Sequence, residues 1–250
     1  MRGTVYLVGA GPGAADLLTL RAARLISAAD VVLHDALVTQ EVIAIAKGAR
    51  KINVGKRANR PSTDQRVINR LMVRAARENK IVVRLKGGDP MLFGRAQEEI
   101  EACRSAGVPV EVVPGVSAAF AAAAEAHASL TQRGVARSVV FVTPMTARDG
   151  EQSEDWADAA AAADSVAVYM GAGAGARVRD ALLQRGAPGA SPIVLVENAG
   201  RGGARRIAAT LADLEDLVQA AGEGPALLLM GEAFAGADAE RLAVRTRARA

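Results

Sequence analysis

The stretch VVRLKGGDPMLFGRAQEE, residues 82–99, governs the reading of the chain around it. A β-branched run empties into Gly-Gly-Asp-Pro. A short apolar segment follows, then Arg95 and paired carboxylates that open a helix. Strand, glycine turn and helix in that order are the repeating unit of an open parallel sheet, where ligands bind beyond the carboxyl ends of the strands. Glycines at such an end let backbone amides and carbonyls approach a ligand closely. Asp89 either accepts hydrogen bonds from a ligand's ammonium or hydroxyl groups, or serves as the acceptor of an Asx-turn in the loop.

The alternation continues outward from this unit. Strands are expected at 4–10, 30–35, 51–55, 81–86 and 110–115. Helices are expected at 16–29, 39–47 with Thr39 as N-cap, 62–80 with Ser62 and Gln65 at capping-box spacing, and 95–107. After Pro114-Gly115 the texture changes. A helix of small residues (116–128) leads to strands at 138–143, 165–170, 192–198 and 225–234, with helices near 155–163 and 173–185 and a strand running into a helix over 206–214. The polar segment 146–155 reads as a mobile loop, and the charged tail from Asp238 as frayed. The expected architecture is therefore α/β in two domains: residues 1–116 with a mostly parallel open sheet, and 117–250 with a mixed sheet.

Composition narrows the function. The 250 residues hold 31 Lys and Arg against 27 Asp and Glu, a formal charge of +4 that suits an anionic small substrate but also nucleic acid. Aromatics make up only 3%, poor material for stacking bases. No apolar run reaches the about 18 residues of a membrane span, and no secretion signal is expected at the N-terminus. One cysteine and two histidines leave neither a disulfide nor a protein-built metal site in prospect. The cytoplasm is the expected location.

The other glycine turn, GAGPGAADLLTL (9–20), keeps three readings open. Gly9, Gly11 and Ala14 satisfy a dinucleotide fingerprint, with Asp35 at the distance of a ribose-binding acid, but Pro12 sits where the phosphate-binding helix should open. A plain connecting turn and a different ligand are the other two.

Taken in order, VYLVGAGPG, DLLTL, ADVVLHDALV, INVGKR, VVRLKGGDPMLFGR, EVVPGVSA, SLTQRG, SVVFVT, VYMG, VEN and PALLLMGE span residues 3–232 and resemble the uroporphyrinogen-III C-methyltransferases, within the tetrapyrrole methylases that use S-adenosyl-L-methionine. HDALV, VGKR and SLTQRG narrow the resemblance to that branch. It implies two α/β domains with the cofactor in the cleft between them, and a homodimer. It implies methylation of uroporphyrinogen III at C-2 and C-7, giving precorrin-2 and S-adenosyl-L-homocysteine, with another precorrin C-methyltransferase of the same fold as the alternative. Neither nucleic acid nor membrane is implied as a partner.

Carried over residue by residue, the resemblance puts Pro12, Gly87, Gly88, Asp89, Leu92, Ser117, Ala118, Met170 and Ala199 at the cofactor. Asp35, Lys56, Arg95 and Glu98 match the catalytic candidates, and Arg57, Arg95 and Arg133 the substrate-binding ones. The chemistry suits these types. Methylation leaves a ring that must lose a proton, so one general base is expected among Asp35 and Glu98, with Lys56 an acid or a carboxylate anchor. Arginine forks such as Arg57, Arg60, Arg95, Arg133 and Arg137 match the carboxylates that fringe the substrate. Arg74 and Arg77 read as a solvated helix face. Four departures from the family pattern bear on substrate grip: Ala36 in place of an arginine, Met145 in TPM in place of a histidine, Ala14-Ala15 after GPG, and the lead-in EAHASLT. A fused dehydrogenase–ferrochelatase part is not expected.

Overall fold

The computed structural model describes residues 3–55, 64–78, 81–145 and 153–242. The chain divides into two compact units, residues 1–118 and 119–250.

The first unit holds five strands: β1 (Thr4–Gly9), β2 (Val31–His34), β3 (Arg50–Asn53), β4 (Ile81–Lys86) and β5 (Val110–Val113). All pair in parallel, in the order β3-β2-β4-β1-β5. Its helices are α1 (Leu20–Ala28), α2 (Gln40–Ala44), α3 (Gln65–Glu78) and α4 (Ala96–Ser105). The chain steps one way across the sheet from β1 to β3 and the other way from β3 to β5. Right-handed crossovers then put α1 and α2 on one face and α3 and α4 on the other. The core divides accordingly. Val8, Val32, Val83 and Leu85 pack with Ala22 and Ile26 of α1 and Val42 of α2. Val5, Leu7, Leu33 and Val82 pack with Met72 of α3 and Ile100 and Cys103 of α4. Strand alternation therefore turns Arg84 and Lys86 of β4 into the α3/α4 face.

Local chemistry sets the element ends. α1 starts at Leu20 rather than at residue 16, because the Thr19 hydroxyl accepts the Ala22 amide at 3.1 Å; Ala15–Leu17 form a separate 3-10 turn. Thr39 caps α2 as expected, accepting from the Val42 amide at 3.5 Å, and its hydroxyl donates to the Gly13 carbonyl at 2.7 Å. Ser62 lies outside the described residues, and Gln65 opens α3 with its side chain turned inward to Glu99 instead of back along the chain.

The second unit holds β6 (Val139–Val142), β7 (Ser165–Tyr169), β8 (Pro192–Glu197), β9 (Arg205–Thr210), β10 (Ala226–Met230) and β11 (Glu240–Arg241), in the order β11-β9-β8-β10-β7-β6. This sheet is mixed: β6 and β7 are parallel, and β10 is antiparallel to both β7 and β8. One face packs on α5 (Ala118–Glu125), the other on α6 (Asp155–Ala162), α7 (Gly175–Gln184) and α8 (Leu214–Gln219). The tail is ordered further than expected: Glu240–Arg241 pair in parallel with β9, at Ile207 and Ala208. Residues 146–152 of the expected loop lie outside the described residues.

Candidate active site

Because every strand of the first sheet is parallel, the loops after β1, β2, β4 and β5 all emerge at its carboxyl edge. Pro12, Asp35, Gly87, Gly88, Asp89, Leu92, Ser117 and Ala118 are thereby brought to one edge. Three of these loops touch backbone to backbone. A Cβ on Gly9 would stand 2.6 Å from Gly115 Cα and 2.7 Å from the Gly88 carbonyl oxygen, and one on Gly115 would stand 2.3 Å from that oxygen. Gly11 and Gly88 exchange both backbone hydrogen bonds, at 3.2 and 2.8 Å, with both residues at positive φ. Only glycine permits this approach. Asp89 locks it: Oδ1 accepts the Met91 amide at 2.8 Å and Oδ2 the Gly115 amide at 3.0 Å. The Asx-turn reading is thus realised, with a second bond that ties the β4 loop to the β5 loop. Gly87 is exposed, with Leu37 Cβ at 3.6 Å as the nearest atom a Cβ would meet.

Beyond Asp89 the backbone of Phe93 and Arg95 adopts positive φ, 52° and 55°, on either side of Gly94. Such conformations are costly for side-chain-bearing residues and concentrate at functional sites. Arg95 and Glu98 form a bidentate pair at 2.7 and 2.8 Å in which both side chains stay about half exposed.

Glu99, next to Glu98, is fully buried. Its Oε1 accepts from Arg84 Nε at 2.8 Å and from Gln65 Nε2 at 3.2 Å, and its Oε2 lies in ion contact with Lys86 Nζ at 2.9 Å. Arg84, 2% exposed, reaches with Nη2 to Asp35 Oδ1 at 2.6 Å and with Nη1 to the Leu85 carbonyl at 3.2 Å. Asp35 alone among the charged members opens outward, at 32% side-chain exposure. Burial weakens the Arg84 charge, but Asp35 and Glu99 outweigh it and the guanidinium ends up more basic than usual. The Lys86 ammonium is made less basic, first by burial and then by Arg84.

The sequence reading passed over Arg84, Lys86, Glu99 and Gln65, although the signals were there. On β4, Arg84 and Lys86 alternate with buried Val83 and Leu85; on α4, Glu99 shares the inward i, i+3, i+4, i+7 face with Ala96, Ile100 and Cys103.

In the second unit β6, β7 and β8 run the same way, so Met145, Met170 and Ala199 follow strand ends at one edge of that sheet. Met170 and Asn198, the latter just before Ala199, both have positive φ, 57° and 52°. The Tyr169 hydroxyl accepts the Ala119 amide at 3.1 Å and so anchors the start of α5. Arg133 is exposed on the turn closed by Gln132 and Ala136. The Arg137 amide donates to Asp164, just before β7, which places the residue at the amino ends of β6 and β7. Lys56, Arg57 and Arg60 lie outside the described residues; Gly55, just before them, packs against Ala36, whose Cβ would be 2.6 Å from a Cβ on Gly55.

A family model for "Tetrapyrrole (Corrin/Porphyrin) Methylases" matches residues 4–215. The chain belongs to the tetrapyrrole methylase family. The chain is 43% identical over 237 residues to a siroheme synthase of Tolumonas auensis, covering 94% of the chain and 50% of the relative. It spans about half the length of the curated relatives it matches. Its fold superposes on the uroporphyrin-III C-methyl transferase of Thermus thermophilus, solved with S-adenosylhomocysteine, at TM-score 0.82 and 41% identity, covering 92% of this chain and 98% of that one. A cobalt-precorrin-4 methyltransferase of cobalamin biosynthesis superposes at TM-score 0.78 and 30% identity, with 92% and 95% covered.

Proposed function

We propose that the chain methylates uroporphyrinogen III at C-2 and C-7 with S-adenosyl-L-methionine, giving precorrin-2 and S-adenosyl-L-homocysteine. The observation that carries this reading is the end-to-end likeness to the Thermus thermophilus enzyme. The cobalt-precorrin-4 methyltransferase likeness favours a second reading, methylation of a later corrin precursor.

The first sheet's edge fits the cofactor. Backbone-on-backbone packing of Gly9, Gly88 and Gly115 makes a floor without side chains, and exposed Gly87 beside it leaves peptide groups open to an amino-acid end. Pro12, Gly87, Gly88, Asp89, Leu92, Ser117 and Ala118 would hold it there. When bound, S-adenosyl-L-methionine supplies an electrophilic methyl carbon on a sulfonium; the protein's part is position. Methylation leaves the pyrrole ring with one positive charge to shed. The proton that sheds it passes to Asp35, whose Oδ1 is held by Arg84 while Oδ2 accepts nothing from the described residues. Arg57, Arg95 and Arg133 are the candidates to grip substrate carboxylates, Glu98 is the other candidate to take the proton, and Lys56 serves as proton donor or further anchor.

The proposal includes a homodimer. It is supported by an apolar groove in the second unit between Phe120, Leu130, Val139 and Phe141, with Phe120 56% exposed; sedimentation at micromolar concentration checks it. A cytoplasmic location is part of the same proposal, and cell fractionation checks it. The activity is tested by calorimetry and turnover together. S-adenosylhomocysteine should bind while NAD does not, and S-adenosyl-L-methionine should be consumed only when uroporphyrinogen III is present. NAD binding without S-adenosylhomocysteine binding would overturn the reading.

A further inference from the structure

We propose that Glu99 is a positioning residue which, through the guanidinium of Arg84, fixes the Asp35 carboxylate that receives the proton. The inference rests on the assignment of Asp35 made above. Its ground is a cluster of two cations and two carboxylates, three of them buried, in a position the fold would otherwise fill with apolar side chains. The neighbouring inward positions of the same face are Val82 on β4 and Ala96, Ile100 and Cys103 on α4. Buried ion clusters are no more stabilising than well-packed apolar residues of the same size, so stability does not account for this one.

The geometry accounts for it. A guanidinium is planar, and fixing two of its edges fixes the third. Glu99 Oε1 holds Arg84 Nε, and the Leu85 carbonyl holds Nη1; the remaining Nη2 is aimed at Asp35 Oδ1. Glu99 is in turn held by Gln65, which also donates to Asn69 Oδ1 at 3.0 Å, and by Lys86. Gly94, in the strained loop after Asp89, has no room for a Cβ, which would stand 2.6 Å from the Pro90 carbonyl oxygen and 3.0 Å from Lys86 Cε. Every fixed point lies behind Asp35, and Asp35 is the cluster's outlet at the sheet edge.

The test compares Glu99→Gln, Asp35→Asn and the double variant for kcat, for KM of both substrates, and for S-adenosylhomocysteine affinity by calorimetry. Glu99→Gln keeps the shape and one acceptor but removes the charge that clamps Arg84. It should lower kcat roughly tenfold to hundredfold, as a displaced catalytic group does, with cofactor affinity within about twofold. Added to Asp35→Asn it should cost little more, because its effect runs through Asp35. Parental kcat in Glu99→Gln, a loss that multiplies in full onto that of Asp35→Asn, or a parallel loss of cofactor affinity would each overturn the inference. Parental turnover in Asp35→Asn would overturn the Asp35 assignment itself, a distinct result. If Glu99→Gln does not fold, Arg84→Lys serves: it keeps the charge but not the fork, and should lose kcat with cofactor affinity intact. Full kcat in that variant would overturn the inference.

Discussion

Asp89 and Gly115 are joined across two loops: the carboxylate that ends the Gly-Gly-Asp turn accepts the Gly115 amide at 3.0 Å, while its other oxygen accepts Met91 at 2.8 Å. One side chain thus holds the β4 loop in its turn and binds it to the loop after β5. Asp89→Ala leaves two amides without partners and should cost about 1–3 kcal/mol of stability. It should also weaken S-adenosylhomocysteine binding at least tenfold, by roughly 1.4 kcal/mol or more. Calorimetry and thermal unfolding check this; unchanged affinity would remove Asp89 from the cradle.

The packing of the glycines makes a second contrast. Gly115→Ala would put a methyl 2.3 Å from the Gly88 oxygen, with backbone on both sides and no flexible group to yield. It should destabilise by about 1–3 kcal/mol or more, as overpacking does, and lose cofactor binding. Gly48→Ala meets nothing within 4 Å and should stay within about 0.5 kcal/mol of the parent. Denaturant melts of the two variants decide it; equal stabilities would contradict the described loop packing.

Arg95 stands on the surface, 59% exposed and paired only locally with Glu98. Such pairs contribute about 0–1 kcal/mol. Arg95→Ala should therefore leave melting and cofactor affinity near the parent while raising KM for uroporphyrinogen III or lowering kcat. Loss of cofactor binding as well would make Arg95 structural.

These predictions rest unevenly on the sequence. The first sheet was legible because its strands are nearly continuous β-branched runs, each stopped by a turn of glycine, proline or a polar residue. Helix starts were less so: the periodic pattern begins at Asp16, but the Thr19 hydroxyl decides that the helix begins at Leu20. The glycine turns announced close loop packing at the sheet edge, yet the contact of Gly9 with Gly115 joins residues far apart in sequence and follows only from strand order. The site's charge was misjudged for a definite reason. In the pair Glu98-Glu99 the motif drew attention to the exposed member, while helical phase buries the other against Arg84. Charged residues are read by habit as surface, and Arg84 and Lys86 show the cost of that habit inside a strand.

Cys103 gives a prediction for pH. It is wholly buried on α4, and burial, with Glu99 adding to it, pushes its thiol up from 9.0 to about 11. Between those values the unfolded chain releases the proton while the folded chain keeps it. The contribution is therefore full below pH 9 and is lost as pH rises toward 11, by an amount on the order of 2–3 kcal/mol. Cys103→Ala should be less stable at pH 7, from the cavity, but its stability should fall less steeply from pH 9 to 11. Parallel stability curves for the two proteins would show that Cys103 does not titrate in this way.

The most direct measurement is anaerobic incubation with uroporphyrinogen III and methyl-deuterated S-adenosyl-L-methionine, followed by mass spectrometry of the tetrapyrrole. The account predicts a product carrying two deuterated methyl groups, with two S-adenosylhomocysteines formed for each. An unmethylated tetrapyrrole, from protein that still binds S-adenosylhomocysteine, would contradict uroporphyrinogen III as the acceptor and turn attention to Ala36 and Met145, which stand where the family resemblance implies an arginine and a histidine.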